Sequence, residues 1–295
     1  MKTALITGAT GYLGSYLLPA LENFEINCYI SNQKNANLSN YENLYQFNNI
    51  EFDYIFHLAA WTKAGDFCLY YPYSQWDINN KMNHNIIKYW KNFQPQAKFI
   101  GIGTSCSYDP DLPFEENFYL DGKLDKDLFA YAMTKRMMLI GLQSARKQYG
   151  LDYLYFIPST IYGPNFSDKD DHFIYDIVRK IKFAKKTNLD ATLWGTGYQI
   201  RDLIYIDNLI GAIIQATIID NFKNEIFNIS SGEAFSIREY AKKICDKLEY
   251  DFEKIKFDKT AFSGVYCKKL DITKAEQAGL LNYITKFDDG ILKLL

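Results

Sequence analysis

The sequence predicts an α/β protein on a doubly wound parallel sheet, and three observations carry that prediction. A short apolar strand, Thr3-Ala4-Leu5-Ile6-Thr7, runs straight into the loop Gly8-Ala9-Thr10-Gly11-Tyr12-Leu13-Gly14 and then into a helical stretch reaching about Asn23. Further apolar runs at 53–60, 99–102 and 153–157 are near-continuous rather than alternating, as expected of strands covered on both faces. Helical stretches lie between these runs. With 295 residues, 48% of them apolar, the chain can bury a large core as one large or two intimately joined domains.

Composition excludes several classes. A net charge of -2 gives no global basic field for nucleic acid or an anionic membrane. The longest apolar runs fall short of the roughly 20 residues that a membrane span needs, and no targeting segment is read. Five cysteines, Cys28, Cys68, Cys106, Cys245 and Cys267, are odd in number and lack C-x-x-C spacing, which argues against a disulfide framework and against a metal site. A reducing, cytoplasmic setting is expected.

Each element then has its reason. Glycines spaced as Gly8, Gly11 and Gly14 permit a tight turn, close backbone approach to a pyrophosphate and close packing of helix on strand, so Gly8, Thr10, Gly11, Tyr12, Leu13 and Gly14 form a candidate dinucleotide loop. The second strand, 26–30, ends in Ser31-Asn32-Gln33-Lys34. An Asp or Glu there would bind the adenosine ribose and repel a 2′-phosphate; its absence, with Lys34 nearby, leans toward NADP(H), with NAD(H) possible. Residues 32–49 read as a polar connection with a short helix. The strand at 53–60 ends in the small residues Leu58-Ala59-Ala60, where a cofactor can approach the backbone, and His57 reads as a structural histidine. Asn79 is a candidate buried amide anchoring the active-site strand, in a helix ending near Phe93.

The strand at 99–102 delivers Thr104, Ser105 and Cys106 to its C-terminal end, where ligands bind in open α/β sheets. A helix from Ala130 through Ser144 then puts Tyr131 and Lys135 at i and i+4 on one face. An ammonium beside a phenol favours the phenolate, so the tyrosine pKa should fall and its proton become available near neutral pH. After the strand at 153–157, Pro158-Ser159-Thr160-Ile161-Tyr162-Gly163-Pro164-Asn165 is a loop, and His172 opens an amphipathic helix at 173–184 after the acids at 168–171. Trp194-Gly195-Thr196-Gly197 and Arg201-Asp202 lie in a turn-rich segment. A helix with an Asx cap is expected from 205–208, a last central strand at 225–229, and a capping box, Ser236 with Glu239, for a helix to Leu248.

Taken together, the glycine loop, His57-Leu58-Ala59-Ala60, Thr104, Tyr131 with Lys135, and Trp194 through Arg201-Asp202 resemble the extended short-chain dehydrogenase/reductase superfamily, from Lys2 to about Gly279. Within it, Cys106, His172 after Tyr162-Gly163-Pro164, the Trp194-to-Arg201 spacing and Lys268-Lys269-Leu270-Asp271 are most similar to the GDP-L-fucose synthase family of 3,5-epimerase/4-reductases. The resemblance implies a Rossmann domain at 1–164 and 200–229 and a smaller α/β substrate lobe at 165–199 and 230–295. It implies that Tyr131 donates a proton during ketone reduction, that Lys135 binds the nicotinamide ribose, that Thr104 completes the triad, and that Cys106 and His172 form the epimerisation pair. Pro158 and Ile161 are expected to join the cofactor site. Ser105, Asn165, Lys180, Trp194, Arg201 and Lys268 are expected at the nucleotide-sugar substrate, a GDP-sugar foremost. A C4 ketone acidifies C3 and C5, so inversion needs one group to remove a proton and another to return it. The alternatives are a C4 reductase without epimerisation, another NAD(P)-dependent nucleotide-sugar epimerase or dehydratase, and a non-catalytic dinucleotide sensor. A homodimer through the helices containing Asn79 and Tyr131 follows by resemblance.

Overall fold

The computed structural model describes residues 1–63, 66–164, 172–261 and 264–295. Its strands follow in chain order as β1 (Thr3–Thr7), β2 (Asn27–Ser31), β3 (Tyr54–His57), β4 (Lys98–Ile102), β5 (Tyr153–Pro158), β6 (Thr160–Tyr162), β7 (Ala191–Trp194), β8 (Ile200–Tyr205), β9 (Glu225–Ile229), β10 (Ala234–Ser236), β11 (Ile255–Asp258) and β12 (Cys267–Lys268). The central sheet has the order β2-β1-β3-β4-β5-β9, and every neighbouring pair is parallel. Strand order reverses between β1 and β3, which opens a crevice beyond their C-terminal ends.

The helices are α1 (Tyr12–Asn23), α2 (Phe67–Tyr70), α3 (Pro72–Phe93), α4 (Phe129–Tyr149), α5 (Phe173–Thr187), α6 (Ile206–Ile214) and α7 (Ile237–Leu248), with shorter turns between and after them. Alternate strand residues face opposite layers. Ala4, Ile6, Phe56, Ile100 and Phe156 pack with Leu17 and Leu21 of α1 and Leu209 and Ile213 of α6. Leu5, Ile55, Phe99 and Tyr155 pack with Ile86 and Trp90 of α3 and Leu139 and Leu142 of α4. Covering both faces is why these strands read as unbroken apolar runs.

Three expectations are corrected. The stretch at 158–165 is not a loop throughout, since residues 160–162 form β6, while the last central strand lies at 225–229 as expected, at the sheet edge beside β5. Arg201 and Asp202 lie inside β8; the turn signal belongs to Gly195 and Gly197, both at positive φ, which reverse the chain between β7 and β8. Helix α6 has no side-chain cap, because its N-cap position is Tyr205; Asn208 lies inside the first turn, with its amide on the Tyr283 carbonyl (2.6 Å) and the Thr285 N–H (2.9 Å). The capping box of α7 is present as expected. The small strands β10, β11 and β12 have two to four residues each and no periodicity to read. They matter nonetheless, since β8 pairs with β6 and β12 in parallel and with β10 antiparallel.

Candidate active site

The glycine loop crosses the end of β3 at the reversal. Gly8 has φ +73°, and a Cβ there would sit 2.7 Å from the Ala59 N, so only glycine fits. Gly14 is equally enclosed: its Cβ would lie 2.4 Å from the Gly8 carbonyl oxygen. Gly11 caps α1 without a side-chain bond, and the first turn of α1 holds no acid, which leaves its amides and positive dipole end directed at the crevice. Thr10 and Gly11 are exposed there, while Tyr12 and Leu13 are half-buried. This is a cradle that fits a dinucleotide diphosphate. At the end of β2, the buried Ser31 donates its hydroxyl to the Ala36 carbonyl (2.8 Å), so that donor is committed to its own loop. Asn32 accepts from the Lys34 N–H (2.8 Å) in a turn that leaves Lys34 exposed.

His57 is structural, as expected. It is buried between Thr7 (Oγ1 to Nδ1, 2.8 Å) and Asn83 (Oδ1 to Nε2, 2.9 Å), and burial pushes its pKa down to about 4. Asn83 in turn donates to the Thr134 carbonyl of α4 (3.3 Å). Asn79 is buried as expected but does not anchor the active-site strand: it accepts from the Trp61 N–H (2.8 Å) and donates to the Trp61 carbonyl (3.0 Å), which clamps the segment after Leu58-Ala59-Ala60 onto α3. Pro158, at the end of β5, is buried, and Ile161 of β6 is half-buried.

Thr104 follows β4 and caps the short 3₁₀ turn Ser105–Ser107 by accepting from the Cys106 N–H (3.3 Å). Ser105 is buried in that turn. Lys135 is buried on α4 and donates to the Ile102 carbonyl (2.8 Å), and burial lowers its pKa to about 8. Tyr131 differs from the sequence expectation. Its pKa is raised, by burial first and then by the neighbouring Cys106, with only a hydrogen bond to Thr104 pulling it back. Desolvation outweighs the attraction that helical spacing promised. The phenol therefore keeps its proton at neutral pH.

The other wall comes from far away in sequence. Lys268 of β12 sits beside Arg201 of β8 in register and donates to the Cys106 Sγ at 3.2 Å. Burial alone would raise the Cys106 thiol, but Lys268, Thr104 and Arg201 together hold it below the ordinary thiol value. His172 stands at the N-terminus of α5; burial, with the Lys268 charge second, lowers it to about 4. It is half-buried rather than the first-turn surface residue that a charged helix start would give. Lys180 pairs with Asp176 (2.7 Å) and lies 5.2 Å from the Trp194 ring, itself 46% exposed. Asn165 and the acids at 168–171 lie outside the described residues. Among the described residues no group of His, Cys, Asp and Glu could hold a metal ion, and no helix is long and apolar enough to cross a membrane.

Two supporting roles were not read from sequence. Asp202, buried and raised to about 6 chiefly by burial, accepts from the Leu270 N–H (2.9 Å) and so holds the segment that carries Lys268. Arg136 is buried and donates to the carbonyls of Ser107 (2.9 Å), Asp121 (2.5 Å) and Gly122 (3.1 Å), which braces the active-site turn. An arginine adjoining the Tyr-x-x-x-Lys pair was the available signal.

This fold and site define the class. Residues 4–230 match the NAD dependent epimerase/dehydratase family, and the chain belongs to that family. Among curated proteins it is similar to Probable GDP-L-fucose synthase 1 of Oryza sativa subsp. japonica, 29% identical over 188 residues that cover 62% of this chain and 56% of that one. It is similar also to GDP-L-fucose synthase of Escherichia coli (strain K12), 29% identical over 205 residues, 64% of this chain and 62% of that one. In both, the match spans less than two thirds of the relative's length. The crystal structure of a GDP-L-fucose synthetase from Naegleria fowleri bound to NADP shares the fold, with a TM-score of 0.83 at 22% identity over 99% of this chain and 92% of that one.

Proposed function

We propose that this chain is an NADP(H)-dependent enzyme that reduces a nucleotide-linked 4-keto-6-deoxy sugar, a GDP-sugar foremost, at C4 and inverts C3, C5 or both. The observation that carries the reading is the Lys268–Cys106 contact at 3.2 Å, which joins the segment after β11 to the turn holding Thr104 and Cys106. A plain C4 reductase has no need of a thiol biased toward ionisation and a neutral imidazole that both feel the charge of Lys268.

The Gly8–Gly14 cradle, the ends of β3 and β5, and Lys135 would hold the cofactor, which would supply the hydride. Tyr131, which keeps its proton at neutral pH, donates it to the oxygen that develops charge at C4. Thr104 orients the same oxygen through its hydroxyl. Cys106 and His172 form a pair that must hold one proton in total: one member takes a proton from the carbon beside the ketone and the other returns a proton to the opposite face. Arg201, Lys268 and Lys180 supply the local positive charge for a diphosphate that the net charge of the chain lacks, and Trp194 offers a ring face. The homodimer is supported by Met137 and Ile140, exposed on α4. Size-exclusion chromatography with light scattering tests it.

The test of the activity is incubation with GDP-4-keto-6-deoxymannose and NADPH in deuterated water, with product read by NMR. Cofactor oxidation with deuterium at C3, C5 or both is the expected outcome. Oxidation without deuterium would leave a C4 reductase and make Cys106 and His172 substrate-binding residues. NADPH binding without oxidation of any keto-sugar nucleotide would favour the dinucleotide sensor.

A further inference from the structure

Behind the active-site turn, two buried tyrosines join the backbone of Thr104 to the backbone of Lys135. The Thr104 N–H donates to the Tyr119 hydroxyl (3.3 Å), the Tyr119 and Tyr155 hydroxyls are 3.5 Å apart, and the Tyr155 hydroxyl donates to the Lys135 carbonyl (2.9 Å). Only one assignment of protons satisfies all three contacts. Tyr155 spends its proton on the carbonyl, so across this contact Tyr119 is the donor, with Ser107 as its other side-chain partner, and it accepts from Thr104. Both rings are fully buried. They also enclose the end of β4: a Cβ on Gly103 would lie 2.7 Å from the Tyr155 ring and 2.8 Å from the Tyr119 hydroxyl. The Tyr119 ring stacks edge-on against Tyr155 at 5.9 Å and against Tyr108 at 5.1 Å, which fixes the hydroxyl in place.

We infer that Tyr119 and Tyr155 are positioning residues for the reduction step, a relay that sets the distance between the Thr104 turn and the α4 turn carrying Tyr131 and Lys135. The inference rests on the functional reading above, in which those three residues do the chemistry. Neither tyrosine faces the crevice as an acid. Burial first, and then each other's proximity for Tyr155, raises both phenols, so their protons stay in the relay. A directional chain between two rigid elements holds reacting groups in a way that apolar packing does not, because each link has a preferred angle as well as a distance.

Tyr119→Phe, Tyr155→Phe and the double variant keep ring volume and remove the links one at a time. Two readouts separate the relay from the functional reading. Amide hydrogen exchange needs no substrate: Tyr155→Phe, which does not touch Thr104, is expected to speed exchange at the Thr104 amide, as Tyr119→Phe does directly. In steady-state reduction of GDP-4-keto-6-deoxymannose, each variant is expected to lose roughly tenfold in kcat, the scale of a small misplacement, with KM for NADPH within about twofold. The double variant should lose no more than the worse single one, since a chain broken once is broken. Folding is checked by circular dichroism and Tm. Unchanged exchange at Thr104 in a folded Tyr155→Phe protein would overturn the relay. Coupled exchange with unchanged kcat, or multiplicative losses, would overturn its positioning role. A wild-type protein that turns over no keto-sugar nucleotide would overturn the functional reading, and with it the catalytic half of this inference, whatever exchange shows.

Discussion

Thr104, Tyr131 and Lys135 are tied to one another by contacts that run between β4 and α4, whereas Cys106 meets Lys268 across 162 positions of sequence. The first group is braced by bonds to backbone carbonyls: Ser107 Oγ on Ala132 (2.9 Å), Asn83 on Thr134, and Lys135 on Ile102. The second depends on a charge delivered by a two-residue strand, β12, which is held by its pairing with β8 and by Asp202 on the Leu270 amide. Groups bound by geometry keep their places when a charge is removed. Groups bound by charge change ionisation with it, so the two corners should respond differently to the same kind of substitution.

The largest effect is expected at the first corner. Tyr131→Phe should lower turnover at least roughly a hundredfold while NADPH affinity, read by fluorescence titration, is kept. Comparable turnover in the variant would remove Tyr131 as the proton donor. At the second corner, Lys268→Met removes the charge that holds the Cys106 thiol down, so the pH dependence of deuterium entry at C3 and C5 should change. Its alkaline limb should move to higher pH. If Cys106→Ser leaves deuterium entry at the wild-type rate, Cys106 is not in the pair.

The pH profile sharpens the contrast. The pair holds one proton between two limits. As pH falls through about 4, His172 gains a second proton and exchange is lost; as pH rises past the Cys106 pKa, which lies below the ordinary thiol value, the last proton leaves and exchange is lost again. Deuterium entry should therefore be bell-shaped, with its alkaline limb below that of a free thiol. A single limb near the ordinary imidazole value would refute the assignment of His172.

Smaller effects test the supports. Asn83→Ala should cost about 1–3 kcal/mol of stability by leaving His57 and the Thr134 carbonyl without their buried partner, measurable as the shift of a urea midpoint. Lys34→Ala should reduce the preference for NADPH over NADH only about threefold to fivefold, since an exposed charge pair is worth at most about 1 kcal/mol.

Much of the parallel sheet was legible because its strands are buried on both faces and leave unbroken apolar runs. The glycine loop was legible because Gly8 and Gly14 answer steric demands that no other residue meets. By itself the sequence thus determined the fold class, the dinucleotide loop, and the spacing that puts Tyr131 and Lys135 on one helical face. Its pKa argument for Tyr131 had the wrong sign, because helical spacing records the neighbour and not the desolvation of the phenol. Tertiary structure decided which residues share an environment: Lys268 beside Cys106, Asp202 beneath Leu270, Arg136 under the active-site turn, and Tyr119 linked to Tyr155. Local patterns follow from rotation per residue along one element, which sequence records directly. Contacts between elements, and the burial that sets each pKa, follow from how layers and short strands pack, which no periodicity along the chain encodes.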